Sequence, residues 1–81
     1  MFYIYFLKSL RNGDLYVGSC KDTRVRVARH NRGLVRSTKA NRPWKLLGFE
    51  KALTRSDAVK REMFLKTGQQ KELLKMKYRD L

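Results

Sequence analysis

Cysteine and histidine each occur once in this 81-residue chain, as Cys20 and His30. Neither a disulfide nor a zinc site made of cysteine and histidine can therefore be assembled within one molecule. Acids are also scarce, seven against twenty lysines and arginines, for a net charge of +13. Any metal must take oxygen ligands, and Asp14, Asp22, Glu50, Asp57, Glu62, Glu72 and Asp80 form no obvious cluster, so a two-metal site lacks donors. There is one proline, and no repeat, linker or low-complexity segment. Long apolar runs are missing too. Met1 to Leu7 is apolar but short, follows no basic region and alternates like a strand, which fits neither a signal peptide nor a membrane span. A cytoplasmic setting is the default expectation.

What is present suits one small folded domain spanning residues 1–81, with a thin core. Hydrophobic residues make up 42% and periodic apolar segments reach both ends, against the reading of a disordered basic tail. The charge points to a polyanionic partner. Nine cations (Lys21, Arg24, Arg26, Arg29, Arg32, Arg36, Lys39, Arg42 and Lys45) fall within residues 21 to 45, where Asp22 is the only acid. No basic amphipathic helix of sufficient length stands alone for a membrane surface.

The aromatic and β-branched run Phe2 to Leu7, the turn residues Arg11-Asn12-Gly13-Asp14 and then Leu15-Tyr16-Val17-Gly18 predict a β-hairpin, with Gly18 ending its second strand. The first strand is apolar on both faces, which puts it in the middle of a sheet or under cover on both sides. Asp22 or Thr23 caps a helix to about Asn31, stopped by Asn31-Arg32-Gly33. Residues 34 to 43 have no period and are expected to be a loop. Trp44 to Leu53 reads as a third strand. Thr54-Arg55-Ser56-Asp57 resembles a capping box opening a helix to about Lys66, with Gly68 as its stop. A last helix runs from about Gln70 to Tyr78, with Leu73, Leu74 and Tyr78 available for packing. The order strand, strand, helix, strand, helix, helix predicts an α+β fold.

Three features carry chemistry. Ala58, Glu62 and Leu65 share a helix face, so a carboxylate lies within an apolar stripe, where a charge is costly unless it is paired or holds a metal. An i,i+4 pair with Lys66 is the ordinary explanation, contributing about 0.2–0.5 kcal/mol when exposed. Arg26 and His30, four apart, project from one helix face; they can offer a phosphate both a cationic donor and a proton-exchanging group, or be a surface arginine beside an exposed histidine. Tyr5 and Tyr16, on hairpin partners, can meet across the pair. Such tyrosines are usually core residues with a polar tip.

Jointly these residues resemble the GIY-YIG nuclease family. Tyr3-Ile4-Tyr5 matches the first short motif of that name and Tyr16-Val17-Gly18 the second; Arg26-Val27-Ala28-Arg29-His30-Asn31 is similar to the family's first helix. The likeness continues through Thr38-Lys39, Arg42-Pro43-Trp44-Lys45-Leu46, Glu50, Ala58, Lys60-Arg61-Glu62 and Leu65-Lys66. It departs at Tyr3, in the place of the first glycine, and after Glu62, where the asparagine of many catalytic modules has no match beyond Gln69 and Gln70.

The resemblance implies a three-stranded antiparallel sheet flanked by about three helices. It also implies Mg²⁺- or Mn²⁺-dependent cleavage of DNA phosphodiesters, of the kind used in DNA repair or recombination. On that reading Glu62 binds the metal, Arg26 contacts the scissile phosphate, Tyr5 and Tyr16 position or activate water, and His30 assists proton transfer. Lys21, Arg24, Arg29, Arg32, Arg36, Lys39, Arg42 and Lys45 supply the DNA-binding surface. A nucleic-acid-binding module of weak or no activity is the alternative. Charge does not separate the two readings, but Glu62 does, since a binder gains nothing from a carboxylate aimed at phosphate.

Overall fold

The computed structural model describes all 81 residues, Met1–Leu81. Strand β1 (Phe2–Ser9) and strand β2 (Leu15–Cys20) form the expected hairpin, and β3 (Trp44–Ala52) pairs with the other side of β1. The sheet order is β2-β1-β3, antiparallel throughout. β1 is thus central, which explains why it is apolar on both faces. β2 continues two residues past Gly18, because Ser19 and Cys20 still pair with Ile4 and Tyr3. Gly18 is an interior residue of that strand and not its end.

The period of two sorts β1 into two cores. Ile4 and Phe6 join Leu15, Val17, Ala58, Leu65 and Leu74 on one face, beneath α2 (Arg55–Leu65) and α3 (Gly68–Lys77). Tyr5 and Leu7 join Trp44 on the other, against Val27 of α1 (Thr23–Asn31). The protein is therefore one sheet between one helix and two, the α+β arrangement expected. Full burial of a side chain like Phe6 contributes about 1.5–3 kcal/mol, so a few such residues hold a domain this thin.

Caps place the helices. Asp22 accepts a hydrogen bond from the Val25 amide and opens α1; the Thr54 hydroxyl accepts from the Asp57 amide and opens α2. Gly33, at φ +78°, ends α1. Gly68 does not act as a stop. Thr67 closes α2 by donating its hydroxyl to the Phe64 carbonyl, and α3 starts at once on Gly68, with Gln69 and Gln70 in its first turn. Leu74 is the α3 residue that reaches the core, Tyr78 packs beside it, and Leu73 is half exposed. Residues 34 to 43 contain a short 3₁₀ turn (Lys39–Asn41) and fold back on α1. No helix is long and apolar enough to cross a membrane.

Candidate active site

α1 lies across the face of the sheet that carries Tyr5, and its two side chains one turn apart both reach the Tyr5 hydroxyl. His30 Nε2 stands 2.8 Å from that oxygen, and Arg26 Nε donates to it at 3.3 Å. The Tyr16 ring completes the group, with its centroid 5.1 Å from His30 and 6.2 Å from Tyr5. Four of the five residues expected to act together are thus one cluster.

His30 is fully buried, not the exposed histidine that an isolated helix would present. The reason is the returning loop. Thr38, itself 1% exposed, lies 2.7 Å from His30 Nδ1 and gives its single hydroxyl proton to the Val35 carbonyl. Thr38 can then only accept from His30, so the ring proton sits on Nδ1, and Nε2 is left to accept from the Tyr5 hydroxyl. Trp44 and Asn31 fix the loop in turn. The Trp44 indole donates to the Thr38 carbonyl at 3.0 Å, and the Asn31 side chain bonds both the amide and the carbonyl of Trp44. No buried side-chain nitrogen or oxygen in the protein lacks a partner.

This enclosure sets the protonation states. Burial, with the Arg26 charge beside it, pulls the His30 pKa down to about 4, so the imidazole is neutral at pH 7. Burial pushes the Tyr5 phenol well above its usual value, an effect the Arg26 hydrogen bond partly offsets. Tyr5 is therefore a protonated phenol facing an unprotonated ring nitrogen. Burial likewise raises the neighbouring Cys20 thiol, which leaves it a poor nucleophile.

Tyr5 requires an empty space on β2. Gly18 is its direct strand partner, and a Cβ built there would lie 2.5 Å from the Tyr5 hydroxyl oxygen. The glycine of the second motif is thus the seat of the tyrosine of the first.

Glu62 stands apart from this cluster. It sits on α2, which packs on the opposite face of the sheet, between the buried Ala58 and Leu65, as the apolar stripe required. Its side chain is only 17% exposed. Ser19 donates to one carboxylate oxygen at 2.6 Å, and Lys66 Nζ lies 2.7 Å from the other. The i,i+4 pair is therefore real, in a site largely withdrawn from water. Lys66 Nζ is also 5.6 Å from the centre of the Tyr16 ring, so it spans the free edge of β2 from Glu62 to the tyrosine cluster. No group of three or more acidic, histidine or cysteine side chains is arranged to hold a metal.

Ser19 and Thr38 enter this site without having been assigned a role from sequence, and Lys66 enters it as the expected i,i+4 partner of Glu62. Ser19 carried a signal, being the polar residue that follows Leu15 and Val17 on the α2 side of β2. Thr38 carried none beyond its place in the family pattern.

The eight further cations assigned to nucleic acid, Lys21, Arg24, Arg29, Arg32, Arg36, Lys39, Arg42 and Lys45, are all exposed. None is paired with a carboxylate, since the only ion pairs are Arg61–Glu50, Lys66–Glu62 and Lys75–Glu72.

The GIY-YIG catalytic domain matches residues 1–79, and the chain belongs to that family of nuclease domains. It is 40% identical over 75 residues to a UPF0213 protein of Staphylococcus epidermidis, covering 91% of this chain and 90% of the relative. UPF0213 proteins of Staphylococcus saprophyticus and Staphylococcus aureus are similar to it at 40% and 42% identity over the same shares of both chains. No solved structure matches it.

Proposed function

We propose that this protein is a divalent-metal-dependent endonuclease that hydrolyses DNA phosphodiester bonds. The observation that carries the reading is the Tyr5 hydroxyl held between the Arg26 guanidinium and the bare Nε2 of a neutral His30. A buried tyrosine hydroxyl needs a partner in any case; what this pairing adds is a cationic donor and a free proton acceptor on the same oxygen.

Arg26 is free of carboxylates and half-exposed, suited to meet a phosphate and the charge that grows on it. As it turns to the phosphate it uncovers the Tyr5 oxygen. A water there passes a proton to Tyr5 as Tyr5 passes its own to His30 Nε2, and the imidazolium, disfavoured by burial, returns it through Tyr5 to the leaving oxygen, so neither phenolate nor imidazolium accumulates. Thr38 keeps the ring oriented by accepting from Nδ1 throughout. Tyr16 packs against His30, and Lys66 stands over the Tyr16 ring beside this path.

The Glu62 site fits a hard cation. One oxygen accepts from Ser19 and the other meets the Lys66 ammonium; Mg²⁺ or Mn²⁺ would be held through this carboxylate with water and phosphate oxygens completing its shell. When bound, such an ion supplies charge neutralisation at the phosphate and a more acidic water. Lys66 must leave Glu62 for it. That ion pair also favours the second reading, a nucleic-acid-binding module that cuts weakly or not at all.

The deciding experiment incubates the protein with supercoiled, linear, flapped and junction DNA in Mg²⁺ or Mn²⁺, with EDTA controls. Metal-dependent nicking, lost in Glu62→Gln and Arg26→Ala variants that keep the wild-type melting curve, supports the nuclease. DNA binding with no nicking of any substrate supports the binder. The small surface suits structure-dependent or weakly sequence-specific cutting, in repair or recombination.

A further inference from the structure

A second cationic site lies away from the tyrosine cluster, where the hairpin turn meets the 39–43 segment. Arg11, Arg36, Lys39, Ala40 and Arg42 line an open cavity of about 430 Å³. Four of its five lining residues are cations, and none of the four has a carboxylate partner. Gathering like charges without counter-charge is unfavourable, so the backbone must hold them together.

It does so through Ser9, which is 1% exposed. The Ser9 hydroxyl donates to the Asn41 carbonyl at 2.6 Å and accepts from the Arg11 and Asn12 amides. The Leu10 amide donates to the Pro43 carbonyl at 2.9 Å. These bonds clip the turn bearing Arg11 to the segment bearing Lys39 and Arg42. Arg42 is further seated over Gly33, where any Cβ would collide with its guanidinium. The backbone beneath Arg11, Lys39 and Arg42 is therefore held by part-buried hydrogen bonds, while the four cationic side chains themselves are exposed.

We infer that this cavity is a phosphate-binding site for nucleic acid, separate from the Tyr5 centre and gripping the strand at a second point. Phosphate is the matching ligand, because planar guanidinium forks donate to its oxygens in pairs and Ala40 is the one hydrophobic residue among the five that line the cavity. Its volume leaves room for one nucleotide unit of backbone with water. The phosphate comes either from inside a strand or from a strand end. The inference rests on the nucleic-acid reading of the protein, but not on cleavage.

The test measures binding in a Glu62→Gln background with EDTA, so cutting does not enter. Fluorescence anisotropy across a salt series compares Arg36→Ala/Lys39→Ala with Lys51→Ala/Lys60→Ala, a control that removes the same charge from outside the cavity. On hydroxyl-ended duplex, the cavity variant should lose about tenfold in affinity, with a salt slope shallower by about two, while the control loses far less. A deficit seen only with 5′-phosphorylated DNA would also support the site and assign it to strand ends. Equal losses in the two double variants overturn it, since charge alone would then account for binding. Nicking by wild type is scored separately. A protein that cuts but shows equal losses refutes only the second site, and one that never cuts but shows the cavity deficit refutes only the nuclease.

Discussion

The two faces of the same three strands are built by opposite rules. Beneath α2 and α3, Ile4, Phe6, Leu15, Val17, Ala58, Leu65 and Leu74 make an apolar core, with the Ser19–Glu62 pair on the same face beside the edge strand β2. Beneath α1, Tyr5, Leu7 and Trp44 share the interior with His30 and Thr38, and every buried polar side-chain atom finds a partner. β1 feeds both, one residue up and the next down. The first face tolerates loose geometry at a cost in stability. The second depends on each donor having its acceptor, so small chemical changes there should cost more function than folding energy.

That contrast can be broken by substitution. The largest effect expected is on cutting: Glu62→Gln and Arg26→Ala should lower it by about a thousandfold or more, from the removal of a metal ligand or a phosphate donor, while thermal melts stay near wild type. Phe6→Ala, on the apolar face, should do the reverse, costing about 3–5 kcal/mol in urea denaturation. If Phe6→Ala left stability intact, the division of labour between faces would be wrong.

A pH experiment sharpens the comparison further. His30 titrates near 4 in the folded protein against an ordinary value of 6.5, so the unfolded chain takes up its proton first. The contribution of a neutral His30 is complete above about pH 6.5 and drains away as the pH falls towards 4, by up to about 3 kcal/mol. Urea midpoints at pH 7, 5.5 and 4.5 should fall more steeply for wild type than for His30→Gln. Parallel slopes would mean that the ring is not held neutral.

Smaller effects separate the hydroxyls. Tyr5→Phe should remove most cutting, about a hundredfold or more if its oxygen relays the proton, whereas Tyr16→Phe should cost less. Thr38→Val, which keeps the shape but leaves Nδ1–H unpaired, should cost about 1–3 kcal/mol and a further loss of rate, while Thr38→Ser keeps both. Lys66→Met should raise Mn²⁺ affinity measured by calorimetry, since the ion no longer competes with an ammonium for Glu62. Unchanged affinity would show that Lys66 does not guard that oxygen.

Much of this was legible in the chain itself. The hairpin, the i,i+4 placement of Arg26 and His30, and Glu62 within the Ala58–Leu65 stripe all follow from local periodicity, which tertiary packing preserved. The departures share a cause. His30 is buried because residues 34 to 43 fold back and present Thr38, a contact no helical period encodes. Gly68 opens a helix because Thr67 completes the previous one and Leu74 fixes the turn of the next against the core. A glycine between two helical segments looks the same in either role. Gly18 stays inside β2 because Tyr5 lies across it, again a contact between strands.

The pairing of Tyr5 with Gly18 makes two letters of the family pattern a single unit. A methyl group at position 18 would lie where the phenol now rests, so it would lift the hydroxyl away from both His30 and Arg26 at once. Relatives that carry a larger residue at the matching position are therefore expected to have altered the tyrosine too, or to have given up the chemistry. The glycine thus marks, in a bare sequence, whether the proton path of the tyrosine still has room to exist.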